Sequence, residues 1–236
     1  MLVCPIRCST SLSLSRRSAP AFRCGGARKN IDAVAVRYPC SPHSNCTNSL
    51  KKIPIRISRG IMMARPYTRI LDFWFSPKSS PTYLQEKPFW YGSPSDDAYV
   101  RHHLSADYES AQSGSLDDWQ HLGDGEGALA LILLLDQVPR NIFRGSPRAY
   151  ATDNKAVAVA RYAVLDRGWD RGMPTIQRRY MYSPFNHSEH IKDQEVSVRL
   201  FTELGDGYHL HWARNFYEQI KRDGRFKHRD TVLGRK

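Results

Sequence analysis

Cysteine is missing from most of this 236-residue chain. Residues 64–236 contain none, which excludes thiol catalysis and a disulfide framework in that part of the sequence. Cys4 and Cys8 are four residues apart, but no histidine or second cysteine pair follows them at zinc-finger spacing. The remaining cysteines are Cys24, Cys40 and Cys46. We therefore expect no cysteine-based metal site and no disulfide scaffold.

Acidic residues are almost absent from the first 63 positions. That segment holds eleven Lys or Arg and only one acid, Asp32, whereas residues 64–236 hold 24 basic and 22 acidic residues, a net charge of +2. Arginines spread among serines are typical of an organelle transit peptide. We expect a disordered basic leader over residues 1–63, with a mitochondrial address, followed by a single domain over residues 64–236. Alternatively, translation begins at Met62 or Met63 and the protein is cytoplasmic.

Long hydrophobic runs and basic stretches with interleaved aromatics are also missing. The longest apolar run covers residues 128–135, eight residues, and a bilayer-spanning helix needs about 20. No apolar segment of a secretory signal follows the basic start. The basic leader has only two aromatic residues, Phe22 and Tyr38, among its eleven basic ones, so its pattern is not typical of a nucleic-acid-binding arm. We expect neither a membrane nor a nucleic acid as partner.

The pattern that is present is helical. Apolar residues recur at the spacing of one helix face after Thr68 and after Ser95, and residues 128–135 are apolar on every side, as in a fully buried helix. Gly114 and Gly168 mark helix ends. The sequence predicts an all-α fold of antiparallel helix pairs. The expected helices cover residues 68–75, 96–113, 128–135 and 148–167 (with a second start at Thr152 or Asp153), a segment after Asn186 or Ser188, and residues 208–221.

A first polar cluster, residues 135–144, follows directly on the most apolar segment. It contains Asp136, Arg140 and Arg144, and Pro139 ends or kinks the helix there. A buried charge needs a partner, because an uncompensated one is strongly destabilising. The partner is either the opposite charge within the cluster or a ligand carboxylate or phosphate, which matches the two-pronged donor geometry of arginine.

Two further polar clusters lie at residues 183–190 and 224–230. The second cluster, residues 183–190, contains His187, Glu189 and His190. Its two histidines are three residues apart, which is not the spacing of a helix-borne zinc motif. His187 can serve in acid–base chemistry, because a histidine pKa lies near neutrality. The third cluster, residues 224–230, is dense in hydrogen-bond donors and contains Arg225, His228 and Arg229. We expect neither a metal nor a cofactor.

Three short segments resemble the domain of unknown function 924 family. They are Leu-Leu-Asp-Gln-Val-Pro-Arg-Asn-Ile-Phe-Arg at 134–144, Pro-x-x-His-Ser-Glu at 184–189 and Gly-Arg-Phe-x-His-Arg at 224–229. The resemblance extends over about residues 68–235 and implies a helical domain with a tetratricopeptide-like arrangement, but no specific activity. The family's polar positions correspond to Asp136, Gln137, Arg140, Asn141, Arg144, His187, Ser188, Glu189, Arg225, His228 and Arg229.

The last segment departs from the family pattern. Lys227 stands where the family usually has proline, and Phe216 where the preceding helix usually has histidine. The family also tends to continue for another short helix beyond Gly234-Arg235. If that final helix is missing, we expect apolar surface to be exposed.

Three interpretations of the clusters remain open. In the first, they converge on a pocket where Arg140, Arg144, Arg225 and Arg229, with Gln137 and Asn141, hold an anionic small molecule. His187 or His228 then moves a proton and is oriented by Asp136 or Glu189. In the second, the domain is an interaction module for acidic peptides. In the third, the clusters only fix the packing of the helices. The oligomeric state is left open.

Overall fold

The computed structural model describes residues 67–236, and every regular element in that range is a helix. The predicted all-α class is confirmed. None of the helices in the described range is long and apolar enough to cross a membrane. The predicted leader, residues 1–63, lies outside the described residues, so its role in targeting the protein to mitochondria remains a prediction.

The helices follow one another with short connections, several of them 3₁₀ turns. They are α1 (Thr68–Phe75), α2 (Pro94–Ser113), α3 (Glu126–Ile132), α4 (Val138–Ile142), α5 (Asp153–Ala160), α6 (Thr175–His187), α7 (Ile191–Leu204), α8 (Gly207–Asp223) and α9 (Asp230–Leu233). Two π-helical segments, Leu133–Gln137 and Arg161–Asp166, extend α3 and α5.

The start of α2 differs from the prediction by two residues. Ser93, rather than Ser95, caps the helix: its hydroxyl accepts from the Asp96 N–H, and the Asp96 carboxylate accepts from the Ser93 N–H. Pro94 occupies the first helical position, where its missing N–H is not needed. The predicted apolar stripe of α2 is buried as expected, and Gly114 ends the helix in the left-handed region.

The core is built around α3. Residues 128–135 have no exposed surface, as their continuous apolar pattern predicts. The helix packs against α1, α5 and α6, and α2 packs against α4. Gly127 allows one close approach: a side chain there would come closer than 3.0 Å to the Trp119 carbonyl oxygen.

The second half of the domain is a run of three longer helices. α6, α7 and α8 pack in chain order and are joined by connections at residues 188–190 and 205–206. Such short connections place consecutive helices antiparallel. The helix α6 was not predicted, because its apolar positions are mixed with arginines and tyrosines and Pro184 lies in its last turn.

The C-terminal residues cover apolar surface. Phe226 is buried, and Val232 and Leu233 are half-buried. Among the described residues, this segment therefore leaves none of its own large apolar side chains exposed. The large exposed apolar side chains lie elsewhere: Tyr99, Leu122, Leu165 and Tyr208.

Candidate ligand-binding cavity

The chain leaves α3 through a widened turn that positions the first polar cluster. Leu133–Gln137 is π-helical, so the turn carries an extra residue before the helix resumes as α4. Pro139 has no N–H to donate to the Leu135 carbonyl, and the Thr152 hydroxyl donates to that oxygen instead, over 2.5 Å. The kink is thus satisfied locally, and Asp136 lies on its buried side.

Asp136 is a fully buried carboxylate surrounded by donors. The His187 Nδ1 atom lies 2.8 Å from Oδ1 and 3.0 Å from Oδ2. Oδ2 also accepts from the Gln137 side-chain amide over 2.5 Å and from the Ser183 hydroxyl over 2.9 Å. Arg140, one turn further along, places Nη1 3.2 Å from Oδ1. Two of these contacts bind the kink to α6.

The charges in this cluster fix its protonation state. Burial alone would raise the pKa of Asp136, but the charge of Arg140 and the contacts from His187 and Ser183 outweigh it and hold this pKa below its usual range. Burial, together with the charge of Arg140, lowers the pKa of His187. Near neutral pH, His187 is therefore an uncharged imidazole. Its Nδ1–H donates to Asp136, and its Nε2 carries a free lone pair.

A second carboxylate, Asp153 at the start of α5, bridges two arginines. Its Oδ2 atom lies 3.0 Å from Arg140 Nη2 and 3.3 Å from Arg229 Nη1. Arg229 also donates to the His187 carbonyl over 3.0 Å, and its guanidinium lies 4.6 Å from the centre of the Tyr150 ring. These contacts bring the third polar cluster of the sequence onto the first two.

Arg144 is held by a third carboxylate. Its Nε and Nη2 atoms donate to the two oxygens of Asp97 over 2.5 and 2.9 Å, a bidentate pair. Asn141 donates to Asp97 Oδ1 and to the Phe89 carbonyl, both over 2.9 Å. Asp97 comes from the first turn of α2, so this end of α4 is bound to α2.

These groups surround a cavity of about 280 Å³ between α4, α6, α8 and the C-terminal segment. Part of the wall is apolar and part carries cations and histidines. The polar lining residues include Gln137, Arg140, Asn141, Arg144, Tyr150, Arg179, Ser183, His187, His209, His228 and Arg229. We call His187, His209 and His228 the cavity histidines.

Among residues 67–236, the charged side chains that line the cavity are all positive. Four arginines line it, whereas within residues 67–236 no aspartate or glutamate does. The carboxylates that neutralise the arginines do not line the cavity, and the side chains of Asp97, Asp136, Asp153 and Asp206 have at most 11% exposed surface. A molecule in the cavity therefore meets N–H donors first.

Seven of the ten predicted site residues line this cavity: Gln137, Arg140, Asn141, Arg144, His187, His228 and Arg229. Asp136 lies directly behind His187. Burial and the neighbouring charge of Arg229 lower the pKa of His228, so this imidazole is also uncharged near neutral pH.

The other two predicted residues, Glu189 and Arg225, do not line the cavity. Glu189 accepts from Arg235 over 2.6 and 2.9 Å and from the Phe226 N–H over 2.9 Å. Arg225 pairs with Asp230 at 3.0 Å. Both fasten the C-terminal segment, which carries His228 and Arg229 into the wall.

Sequence reasoning missed several residues of the wall. The sequence marks Asp153 only as a possible helix start, and nothing in its spacing links it to Arg140. Arg179, Ser183 and His187 recur every fourth residue and share one face of α6, a signal that needs the helix to be predicted first. His209 was placed in a helix without a role.

The rest of the described surface offers weaker candidates for a binding site than this cavity. Residues 67–236 contain no group of three His, Cys, Asp or Glu side chains that could hold a metal ion. A wider, open depression of about 820 Å³ lies beside Gly123 and Trp169, but its lysine, Lys78, already pairs with Glu126 at 2.6 Å.

Comparison with known proteins gives a family and a structural relative. A family model described as "Bacterial protein of unknown function (DUF924)" matches residues 70–236. A solved structure of a protein of unknown function from Agrobacterium tumefaciens is 36% identical, with a TM-score of 0.62, over 72% of this chain and 90% of that one. No curated protein matches the chain.

Proposed function

The chain belongs to the DUF924 family, and we propose that its cavity binds a small organic anion whose carboxylate or phosphate is held by Arg140 and Arg229. One observation carries the proposal: Arg140 and Arg229 line the cavity, whereas their carboxylate partners, Asp136 and Asp153, do not. Guanidinium groups match the geometry of such anions, because they donate two parallel hydrogen bonds.

Arg229 retains unused donor capacity. Its Nε–H is buried and has no hydrogen-bond partner among residues 67–236. A buried polar group without a partner destabilises the fold, and an oxygen of a bound anion would remove that cost. The small volume of the cavity favours a small molecule over a peptide segment.

Binding should be linked to protonation of His187. Arg140 and Arg229 carry two formal positive charges, and Asp136 and Asp153 carry two negative ones, so the cluster is balanced while His187 is neutral. An incoming anion adds a negative charge, and a proton on His187 Nε2 restores the balance. Affinity should therefore rise as the pH falls from 7.5 towards 6.

The same arrangement suits acid–base chemistry. Asp136 accepts the Nδ1–H of His187 and orients the ring, which leaves Nε2 to take a proton from a ligand and to return it. A carboxylate that orients a histidine in this way also stabilises its protonated form. We propose His187 as the proton-transfer group and Asp136 as its positioning residue.

Thermal-shift and calorimetric titrations of the full chain test the binding step. The probes are inorganic phosphate, acetate, benzoate and phenyl phosphate, which separate the anionic group from the apolar body. A probe at 100 times its Kd should stabilise the protein by about 2.7 kcal/mol. Calorimetry in buffers of different ionisation enthalpy should show proton uptake on binding.

Matched variants identify the site. Arg140→Lys and Arg229→Lys keep the charge but lose the two-pronged geometry, so they should weaken binding strongly. Arg199→Lys is the control, because Arg199 pairs with Glu203 on the exposed face of α7. If no probe binds, or if Arg140→Lys binds as the control does, the proposal is wrong and the cluster serves packing alone.

A further inference from the structure

A second Asp–His pair lies at the other end of the same cavity. Asp206 caps α8: its Oδ1 accepts from the His209 N–H over 3.2 Å. Its Oδ2 accepts from His209 Nδ1 over 2.8 Å and from Arg179 Nε over 2.6 Å. This trio was not among the residues predicted from the sequence, and it has the same order of arginine, carboxylate and imidazole as the cluster around Asp136.

The free nitrogen of His209 lacks a partner. The residue is 7% exposed, and no group in the described part of the chain hydrogen-bonds its Nε2. Burial lowers the pKa of His209, so the ring is neutral, with its proton on Nδ1 and a lone pair on Nε2. The ring is fixed, because it stacks on Phe201 with centroids 5.8 Å apart.

Trp90 contributes a matching donor. It also lines the cavity, is 9% exposed, and its indole N–H has no partner within residues 67–236. Its ring lies 5.4 Å from that of Tyr180, the neighbour of Arg179 on α6. One buried acceptor and one buried donor are therefore left unpaired in the same wall.

The two ends of the cavity are separated by about two turns of α6. Arg179 and His187 are eight residues apart on one face of α6, about 12 Å along the helix. Between these two residues of α6, Tyr180 and Ser183 also line the cavity, and Phe201 and Phe216 add aromatic surface from α7 and α8. The cavity thus has an arginine and a histidine at each end, and each pair is held by a carboxylate that does not line the cavity.

We propose that this far end is a second acid-binding subsite, so that the ligand is an elongated dicarboxylate. The proposal rests on the proposed function, because it takes the first acid group to lie at Arg140 and Arg229. A carboxyl group supplies what the far end lacks: an oxygen that accepts from Trp90 Nε1, and a proton shared with His209 Nε2.

The test compares two ligand series on the full-length protein. Straight-chain α,ω-dicarboxylates are titrated beside monocarboxylates with the same number of carbons, and Kd is measured by calorimetry. At the best length the diacid should bind about tenfold more tightly than its monoacid, the ratio that one charge-assisted hydrogen bond supplies. A diacid that is never better than its monoacid would overturn the subsite.

Variants locate the extra affinity. His209→Asn keeps a donor near the position of Nδ1 for Asp206 and removes Nε2, so this protein should bind the diacid no more tightly than the monoacid. His211→Asn is the matched control, because His211 is exposed on the same helix and does not line the cavity. Trp90→Phe removes the indole N–H and provides a second variant if His209→Asn does not fold.

The outcomes separate the two proposals. Monoacid binding that depends on Arg140, with no advantage for any diacid, leaves the proposed function standing and removes the second subsite. A diacid advantage that persists in His209→Asn assigns the second acid group elsewhere and also removes it. Absence of binding in both series contradicts the proposed function itself.

Discussion

Replacing Asp136 by asparagine is the most direct test of the buried polar cluster. The change conserves size but removes the charge, and one carboxylate oxygen becomes an N–H₂ donor. Both oxygens of Asp136 receive donors, from His187 and Arg140 on one side and from Gln137 and Ser183 on the other. In either orientation, the NH₂ group of the new side-chain amide therefore faces a hydrogen-bond donor instead of an acceptor.

The magnitude follows from the charges that remain. Arg140 and Arg229 would share only Asp153, leaving one buried positive charge uncompensated. Breaking a buried ion pair from one side costs about 3–5 kcal/mol, out of a total stability of about 5–15 kcal/mol. With a urea slope of about 2 kcal/mol per molar, the midpoint should fall by about 1.5–2.5 M.

Equilibrium urea unfolding, followed by tryptophan fluorescence at pH 7, measures this shift. Asp72→Asn is the control, because Asp72 lies on the exposed face of α1. A loss below about 1 kcal/mol, equal to that of the control, would refute the view that Asp136 holds the cluster together.

The pH dependence of the same pair of proteins gives an independent check. The pKa of Asp136 is lowered in the folded state, so its contribution is complete above its unfolded pKa of about 3.9 and is lost as the pH falls. The difference in stability between wild type and Asp136→Asn should therefore narrow below about pH 4. A difference that stays constant down to pH 2 would contradict the charge argument.

Three further predictions concern the frame around the cavity. Gly127→Ala should destabilise the domain by more than about 3 kcal/mol, because the new Cβ overlaps the Trp119 carbonyl, whereas Gly172→Ala, with open space around it, should be near neutral in the same urea assay. Thr152→Val should cost about 1–3 kcal/mol, because the carbonyl left free at the proline kink loses its donor; Thr152→Ser should restore most of the loss. Burial lowers the folded pKa of all three cavity histidines, so stability should fall as the pH drops below about 6.5, and His228→Gln should flatten the Tm profile between pH 7.5 and 5.5. An identical slope in that variant would show that His228 does not contribute.

Local patterns were sufficient to predict much of the fold. The apolar stripe of α2 repeats at helical spacing, and residues 128–135 are apolar on every face. Each of these helices can therefore be predicted from the residues of one or two turns. Gly114 and Gly168 adopt the left-handed backbone that their positions suggest. The capping residue of α2 was misassigned because the preference for proline in the first turn moves the cap to Ser93.

Features that depend on tertiary contacts were not predictable. The π turn before Pro139 is stable because the hydroxyl of Thr152, from another segment, replaces a missing backbone donor. The helix α6 contains Pro184 and many polar residues, and its face becomes evident only once Arg179, Ser183 and His187 are seen on one wall. These signals are pairings between distant segments, which a single sequence does not display.

The candidate site shows the same difference between features set by local sequence and features set by tertiary contacts. The polar motifs at 134–144, 184–189 and 224–229 were recognised from residue type, but their charge partners were not. Asp97 and Asp153 stand at helix starts, where an acid is favourable for local reasons and so carries no mark of a second role. His209 likewise belongs to a capping interaction and contributes its other nitrogen to the cavity wall.

Structural and ligand-binding roles for the cluster are compatible. Arg140, Arg229, Asp136 and Asp153 balance one another, so the cluster is neutral without a ligand and the pairs contribute to packing. Arg140 and Arg229 line the cavity whereas Asp136 and Asp153 do not, although the side chain of Arg229 is as buried as that of Asp153. This one-sided lining leaves arginines at the cavity wall and a neutral His187 beside them, able to take the proton that an anion requires. It is the lining of the cavity by the arginines alone, rather than the presence of ion pairs, that favours a binding site over a purely structural cluster.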